Sequence, residues 1–371
     1  MKITFPHMGN TYIVAKALLD DLGIEYIIPP FNNKRGLELG TRIAPELACL
    51  PLKITLGNLI QAFEQGADTV LMAGGCGPCR FGYYCEMQKE ILNDNGYKMD
   101  MITLELPNGD IKEFIRRIKK LAGGFKPYRI LRGLKNATQV SIMVDELERL
   151  CFRIRPREIE SGSTDKIYNA FRHNVKNVFG SRAIKEFIRE TEDKLMKIET
   201  DREFQPFKVG IVGEIYTTID SYTSFDIQTR LGGMGAEVHR EVTVSEWIVE
   251  HILKNALHLP RNLDYVRASE KYLGAMIGGH AQDTIGNTVI YSEKGFDGVI
   301  QIYPLTCMPE IVAESILPKV ERDYDIPVLT LIIDEMTGEA GYMTRVEAFI
   351  DLLTKRRERV ESVGKWALSG N

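Results

Sequence analysis

The chain has 371 residues, 44% hydrophobic and 26% charged, and its 47 basic and 51 acidic side chains give a formal net charge of −4. That balance excludes a disordered chain and a general nucleic-acid binder, which carries a clear basic excess, and the length accommodates about two domains with a core in each. No apolar run reaches membrane-spanning length, Met1-Lys-Ile-Thr-Phe-Pro6 lacks a signal-peptide core, and six cysteines are too few for a disulfide scaffold of this size, so a cytoplasmic protein is expected.

In chain order, Lys2 to Phe5 reads as a short strand, Thr11 to Leu22 as a helix ending at Gly23, and Glu25 to Ile28 as a second strand, a β-α-β opening. A short helix is expected near Gly36 to Arg42. A longer one follows over Lys53 to Gln65, where Ile54, Leu56, Leu59, Ile60 and Phe63 recur at helical spacing. Pro51 suits that helix's first turn and puts Cys49 at its N-terminus, where the dipole favours a thiolate, although a cysteine so placed is often inert. Asp68 to Ala73 is a buried parallel strand, Arg80 to Asn95 a helix, Asp100 to Leu104 another strand and Ile111 to Ala122 another helix.

The loop after that buried strand, Gly74-Gly-Cys76-Gly-Pro-Cys79-Arg-Phe-Gly-Tyr-Tyr-Cys85, holds three of the six cysteines within ten residues. It lies where open α/β sheets bind ligands, and glycines there let backbone N–H groups approach whatever is bound. Cys76 and Cys79 can offer two thiolates to one metal centre, with Cys85 in the first turns of the next helix. Reduced core cysteines or a redox Cys-x-x-Cys are the alternatives.

Between Gly123 and Gln205 the pattern is helical and heavily charged, as in Val140 to Leu150 and Ile184 to Ile198. Cys151 there has no glycine-rich loop around it and reads as a packed cysteine. A second α/β unit begins with the strand Lys208 to Tyr216 and continues through helices near Asp226 to Met234 and Ser245 to Lys254. Gly57 to Asp68 overlays Gly286 to Asp297 at a constant offset of 229, with Gly, Asn, Glu, Gly and Asp identical: an internal repeat. The offset sets Cys76 opposite Leu305, two residues before Cys307, so both halves end an equivalent strand in a cysteine-bearing loop. Two like lobes facing each other would bring Cys49, Cys76, Cys79 and Cys307 together. The last strand, Ile326 to Ile333, leads into an acidic loop with Asp334, Glu335 and Glu339, which read as caps and solvated turn residues or as general acid–base groups. Thr344 to Glu347 reads as a capping box opening a final helix to Arg359.

Neither a Walker A motif nor Gly-x-Gly-x-x-Gly occurs, and no basic, glycine-rich cradle for CoA phosphates is visible. Through Ala48-Cys49-Leu-Pro-Leu-Lys53, Gly75-Cys76-Gly-Pro-Cys79-Arg80, Gly278-Gly-His280, Cys307-Met-Pro-Glu310 and Asp334-Glu-Met-Thr-Gly-Glu-Ala-Gly341, the sequence resembles the 2-hydroxyacyl-CoA dehydratase superfamily over nearly its whole length. Within it, the chain is most similar to the stand-alone branch labelled acyl-CoA dehydratase activase-related, or CoA-protein activase. The superfamily also includes benzoyl-CoA reductase subunits and double-cubane cluster proteins.

The resemblance implies an α/β fold of two Rossmann-like lobes with parallel sheets, residues 1–125 and 206–371, joined by a helical segment, 126–205, with an iron–sulfur cluster between the lobes. Cys49, Cys76, Cys79 and Cys307 would supply thiolates, with Cys85 a further candidate. Four thiolates fill a [4Fe–4S] cluster, and a double cubane would also need Cys85 and Cys151. The implied partners are a separate ATP-hydrolysing activase as electron donor, an acyl-CoA substrate and a homo- or heterodimeric assembly, in an oxygen-sensitive anaerobic protein. Whether such a chain performs a reduction or dehydration itself or only transfers electrons is left open, as is a zinc- or cluster-stabilised scaffold without catalysis.

Overall fold

The structure, a computed structural model, describes residues 1–73, 83–104, 116, 127–249 and 264–369. Cys76, Cys79, the start of the expected helix over Arg80 to Asn95, the one over Ile111 to Ala122 apart from Arg116, and the end of the one over Ser245 to Lys254 lie outside the described residues.

In chain order the first lobe contains β1 (Ile3–Thr4), α1 (Thr11–Leu22), α2 (Lys34–Ile43), α3 (Leu50–Glu64), β2 (Thr69–Ala73), α4 (Tyr84–Asp94) and β3 (Asp100–Leu104). A helical layer follows: α5 (Pro127–Ile154), α6 (Ser163–Asn174) and α7 (Ser181–Leu195). The second lobe is β4 (Phe207–Gly213), α8 (Ile215–Ile219), α9 (Ile227–Gly233), β5 (Ala236–Arg240), α10 (Val244–Trp247), α11 (Asp264–Ser269), α12 (Ala281–Glu293), β6 (Gly298–Pro304), α13 (Met308–Tyr324), β7 (Val328–Ile333) and α14 (Glu339–Ser369).

Both sheets are parallel. The first runs β1-β2-β3, with Tyr26 bridging Ile3 on the other side, and the second runs β5-β4-β6-β7. If the Tyr26 bridge counts as a rudimentary strand, both follow the order 2-1-3-4, in which the connections diverge between the first and third strands and leave a crevice at their C-terminal ends. The fold is therefore α/β with two Rossmann-like lobes. Ile3, Leu71 and Ile102 of the first sheet share one core with Val140, Leu147, Ile184 and Ile188, so the helical layer covers a face of that sheet.

The repeat is structural. Helices α3 and α12 end at Glu64 and Glu293, and strands β2 and β6 start at Thr69 and Gly298, each pair at the 229 offset. Gly57 and Gly286 stand where a Cβ would come within 1.8 Å of the Gly36 carbonyl oxygen and 1.9 Å of the Tyr265 carbonyl oxygen, so each lets the preceding helix pack at backbone distance. Gly66 and Gly295, at φ 93° and 70°, turn the chain from helix to strand. Asp68 and Asp297 then accept the backbone N–H of Lys2 and Lys208, at 2.9 and 2.8 Å, tying each turn to its lobe's first strand. A sixth identity lies just upstream of the overlay: Thr55 accepts from Gln88 of α4, and Thr284 donates to Glu310 of α13. Both threonines are buried and join equivalent helix pairs.

Several expected bounds shift for physical reasons. The strand over Glu25 to Ile28 reduces to the single Tyr26 bridge. The strand from Lys208 stops at Gly213 because the Glu214 carboxylate accepts the N–H groups of Tyr216 and Thr217, at 2.9 and 3.0 Å, and opens α8. The capping box at Thr344 is not formed. The last helix starts at Glu339, and Thr344 donates to the Ala340 carbonyl 3.0 Å away inside it.

Candidate functional site between the lobes

The lobes meet at the C-terminal ends of both sheets. After β1, the His7 carbonyl accepts from Tyr216 OH at 2.6 Å, and the Gly9 N–H donates to the Asp220 carboxylate at 3.2 Å. Asn32 also donates to Tyr216 OH at 3.0 Å and accepts from Asn58, whose own Oδ1 accepts the His7 N–H. The residues after the first strand of each lobe are thus bonded to one another. His7 is buried, and burial together with nearby Arg172 and Lys176 lowers its pKa to about 3, so the ring is neutral.

Helix α3 carries the first cysteine to this seam. It is buried continuously from Leu50 to Ala62, as expected of a helix apolar on nearly all sides. Its first residue, Leu50, packs into the core of the second lobe with Ile302, Ile333 and Tyr342. Lys53, one turn on and 3% exposed, donates to the Glu46 carbonyl at 3.0 Å and pairs across the seam with Glu335. Of the acidic loop residues, Glu335 is therefore an inter-lobe ion pair, Glu339 pairs with Arg230, and Asp334 accepts from Met336 N–H and Thr337 OH as a turn cap.

Cys49 is the N-cap residue of α3 and Cys307 that of α13; both have extended backbone and both are followed two residues later by proline, at Pro51 and Pro309. Such a cap directs the positive end of a helix dipole at the cysteine, which favours bound or developing negative charge. The loops that carry them touch: Thr306 OH donates to the Leu47 carbonyl at 3.4 Å, one residue before Cys307 and two before Cys49. Thr306 holds φ at 71°, a strained left-handed conformation for a β-branched residue, at the junction between β6 and Cys307. The Cys-x-Pro shared by the two loops was the signal in the sequence for this pairing.

The other cysteines differ. Cys85, 3% exposed in α4, lies in the same apolar cluster that Cys49 borders, with its sulfur 2.9 Å from Thr103 Oγ1 of β3. Its neighbour Tyr84 contacts the Cys49 sulfur through its hydroxyl. Cys151 is 1% exposed on the core-facing side of α5, and burial pushes its thiol pKa up to about 12, so it is a protonated packed cysteine. Among the described residues no three His, Cys, Asp or Glu side chains gather as a metal site; Cys76 and Cys79, which follow β2 in the sequence, lie outside them.

A second feature of the seam is a cavity of about 360 Å³ at the end of β5 and beside α9, roofed by the loop after β1 and by α5 and α6. Arg155, Arg172, Arg230 and Arg240 line it with Glu148, Asp165, Asp226 and Tyr168. Two of its arginines, Arg155 and Arg172, lie in the stretch that the sequence shows only as helical and heavily charged. The legible sign was position: Leu147, Cys151 and Arg155 are spaced four apart on one buried stripe.

These features define a pair of repeated α/β lobes closed on each other at their strand ends, with cysteines from both lobes at the seam. No protein-family model matches the chain, and no curated protein matches it. Among the described residues, no helix is long and apolar enough to cross a membrane.

Proposed function

We propose that the chain is a cysteine-ligated iron–sulfur protein of the 2-hydroxyacyl-CoA dehydratase type, with Cys49, Cys76, Cys79 and Cys307 holding a [4Fe–4S] cluster between the lobes. The observation that carries this reading is the meeting of the Cys49 and Cys307 loops, 258 residues apart in sequence, through the Thr306–Leu47 bond. The donor set suits the group: thiolates are the ligands such clusters use, and two helix N-termini offset the negative charge of a thiolate-ligated cluster. When bound, the cluster would supply reversible one-electron transfer at low potential. The chain's own residues would position the thiolates and, through Leu50, Lys53 and Glu335, hold the lobes closed around them.

Electrons would come from an ATP-hydrolysing activase, since the sequence carries no Walker A motif, and would go to an acyl-CoA or another small substrate. The test is anaerobic purification followed by iron and acid-labile sulfide analysis and EPR. Brown protein with both elements, lost in the folded Cys76→Ala/Cys79→Ala double variant, is the expected result. A colourless zinc protein, or full iron and sulfide in that variant, refutes the assignment.

A further inference from the structure

The cavity between the helical layer and the second lobe is independent of the cysteines in its chemistry, because the one thiol among its described lining residues, Cys151, is protonated. Three of its four arginines already have carboxylate partners: Arg155 with Asp165 at 2.7 Å, Arg240 with Glu148 at 2.9 Å, and Arg230 with Glu339 on its outer side. Arg172 has no carboxylate within ion-pair distance among the described residues. Its guanidinium lies 5.0 Å from the Phe31 ring, where Lys176 adds a second positive charge, and the neighbouring Tyr168, Tyr12, Glu148 and Asp220 keep it charged against its burial.

The pairs are also incomplete as hydrogen-bonding groups. Among the described residues, Arg155 Nη1, Arg172 Nε and Arg240 Nε are buried N–H donors without a hydrogen-bond partner, and Asn10 Oδ1 is a buried acceptor without one. Arg155 and Arg240 are 5% and 6% exposed, so their unmet donors cannot turn outward to bulk water. Each unmet buried group is costly, and four around one cavity mark a place built to receive something.

We propose that this cavity binds a small ligand bearing one carboxylate or phosphate group, held by Arg172 with Arg155 and Arg240, and at least one hydroxyl or amine that donates to Asn10 and Asp226. Arginine's planar fork matches both oxyanions, and the Asn10 and Asp226 acceptors that also line the cavity require donors on the rest of the ligand. The volume lies at the lower end of small-molecule sites and is too small to enclose a dinucleotide or a whole coenzyme A, so the ligand is of metabolite size.

The test is calorimetric titration of the purified full-length protein with inorganic phosphate, glycerol 3-phosphate and gluconate, which separate phosphate from carboxylate and bare anion from polyol. Saturable binding of glycerol 3-phosphate or gluconate, stronger than that of inorganic phosphate, is expected. Arg172→Ala should weaken it about tenfold to a hundredfold, while Arg172→Lys retains part and Arg182→Ala, on the exposed face of α7, changes nothing. Iron and sulfide content should be the same in all variants, which separates this site from the thiolate centre. Should Arg172→Ala not fold, Asp226→Asn serves instead, with loss of the polyol preference over inorganic phosphate. No saturable binding of any probe at 10 mM, equal binding by the folded variants, or a crystal soaked at that concentration with water alone in the cavity overturns the proposal.

Discussion

Glu310 gives the most quantitative handle on this structure. It lies in the first turn of α13, fully buried, with Thr284 OH 2.9 and 3.1 Å from its carboxylate oxygens and Gln301 donating at 3.0 Å. Burial outweighs those donors and raises its pKa from about 4.5 to about 7. Below pH 4.5 the group is protonated in both the folded and unfolded chain and the folded state has its full stability. Between the two values only the folded chain holds the proton, so stability falls as pH rises, and above about 7 the loss is complete. A shift of this size corresponds to about 3 kcal/mol, of which about 2.5 kcal/mol falls between pH 5 and pH 8.

His7 acts in the opposite sense. Its pKa is lowered from 6.5 to about 3, so it makes the protein more stable as pH rises through that window. The wild-type profile alone therefore mixes these with other buried carboxyls such as Glu214 and Asp220, which burial also raises, and the measurement is the difference between wild type and Glu310→Gln, whose side chain does not titrate. Urea unfolding followed by circular dichroism at half-unit steps from pH 5 to pH 8 gives that difference. Relative to the variant, the wild type should lose about 2 to 3 kcal/mol across the range. A flat difference, or one that rises with pH, would falsify the assignment of Glu310 as a buried acid held neutral by its surroundings.

Gly57→Ala and Gly286→Ala should each cost about 2 kcal/mol or more, because the added Cβ meets a backbone carbonyl that cannot step aside. Gly96→Ala, at φ 83° in open space, should cost only about 1 kcal/mol; similar losses at all three, read by thermal unfolding, would count against the close helix crossing. Breaking the seam by Glu335→Leu leaves Lys53 buried without its charge partner and should cost about 3 kcal/mol, with much of it recovered in Lys53→Met/Glu335→Leu. A double variant no more stable than the single one removes the ion pair from the account. Cys151→Ser should leave iron content unchanged; a loss equal to one ligand's share in folded protein would point to a larger cluster.

The helices and strands were legible where periodicity and punctuation agree. α3 shows apolar spacing before a glycine, and the repeat showed itself because Gly57, Asn58, Glu64, Gly66 and Asp68 recur with their structural duties intact. Local signals competed with tertiary ones elsewhere. Thr344 resembles a cap, yet the helix runs through it from Glu339, whose carboxylate is engaged by Arg230. Glu25 to Ile28 has strand composition, but only Tyr26 meets β1. At the seam, the cysteine-bearing loops could be anticipated, that of Cys307 from its place after a repeated strand and that of Cys49 from Pro51 in the first turn of α3. The contacts that join them, Thr306 to Leu47, Tyr216 to His7 and Lys53 to Glu335, connect residues more than 200 apart and leave no periodic trace. The arginine cavity was hidden for the same reason: Arg155, Arg172 and Arg240 come from three elements, and only folding assembles them.

The central claim is that both lobes ligate one metal centre at their seam. It is tested most directly by measuring iron and acid-labile sulfide per chain in anaerobically purified wild type, Cys307→Ser and a chain ending before Phe207, each confirmed folded by circular dichroism. About four irons and four sulfides in the wild type, with a marked loss in Cys307→Ser and no stable cluster in the shortened chain, is the predicted pattern. A full and stable complement of both elements in the shortened chain, or in Cys307→Ser, contradicts it and moves the fourth ligand to Cys85 within the first lobe.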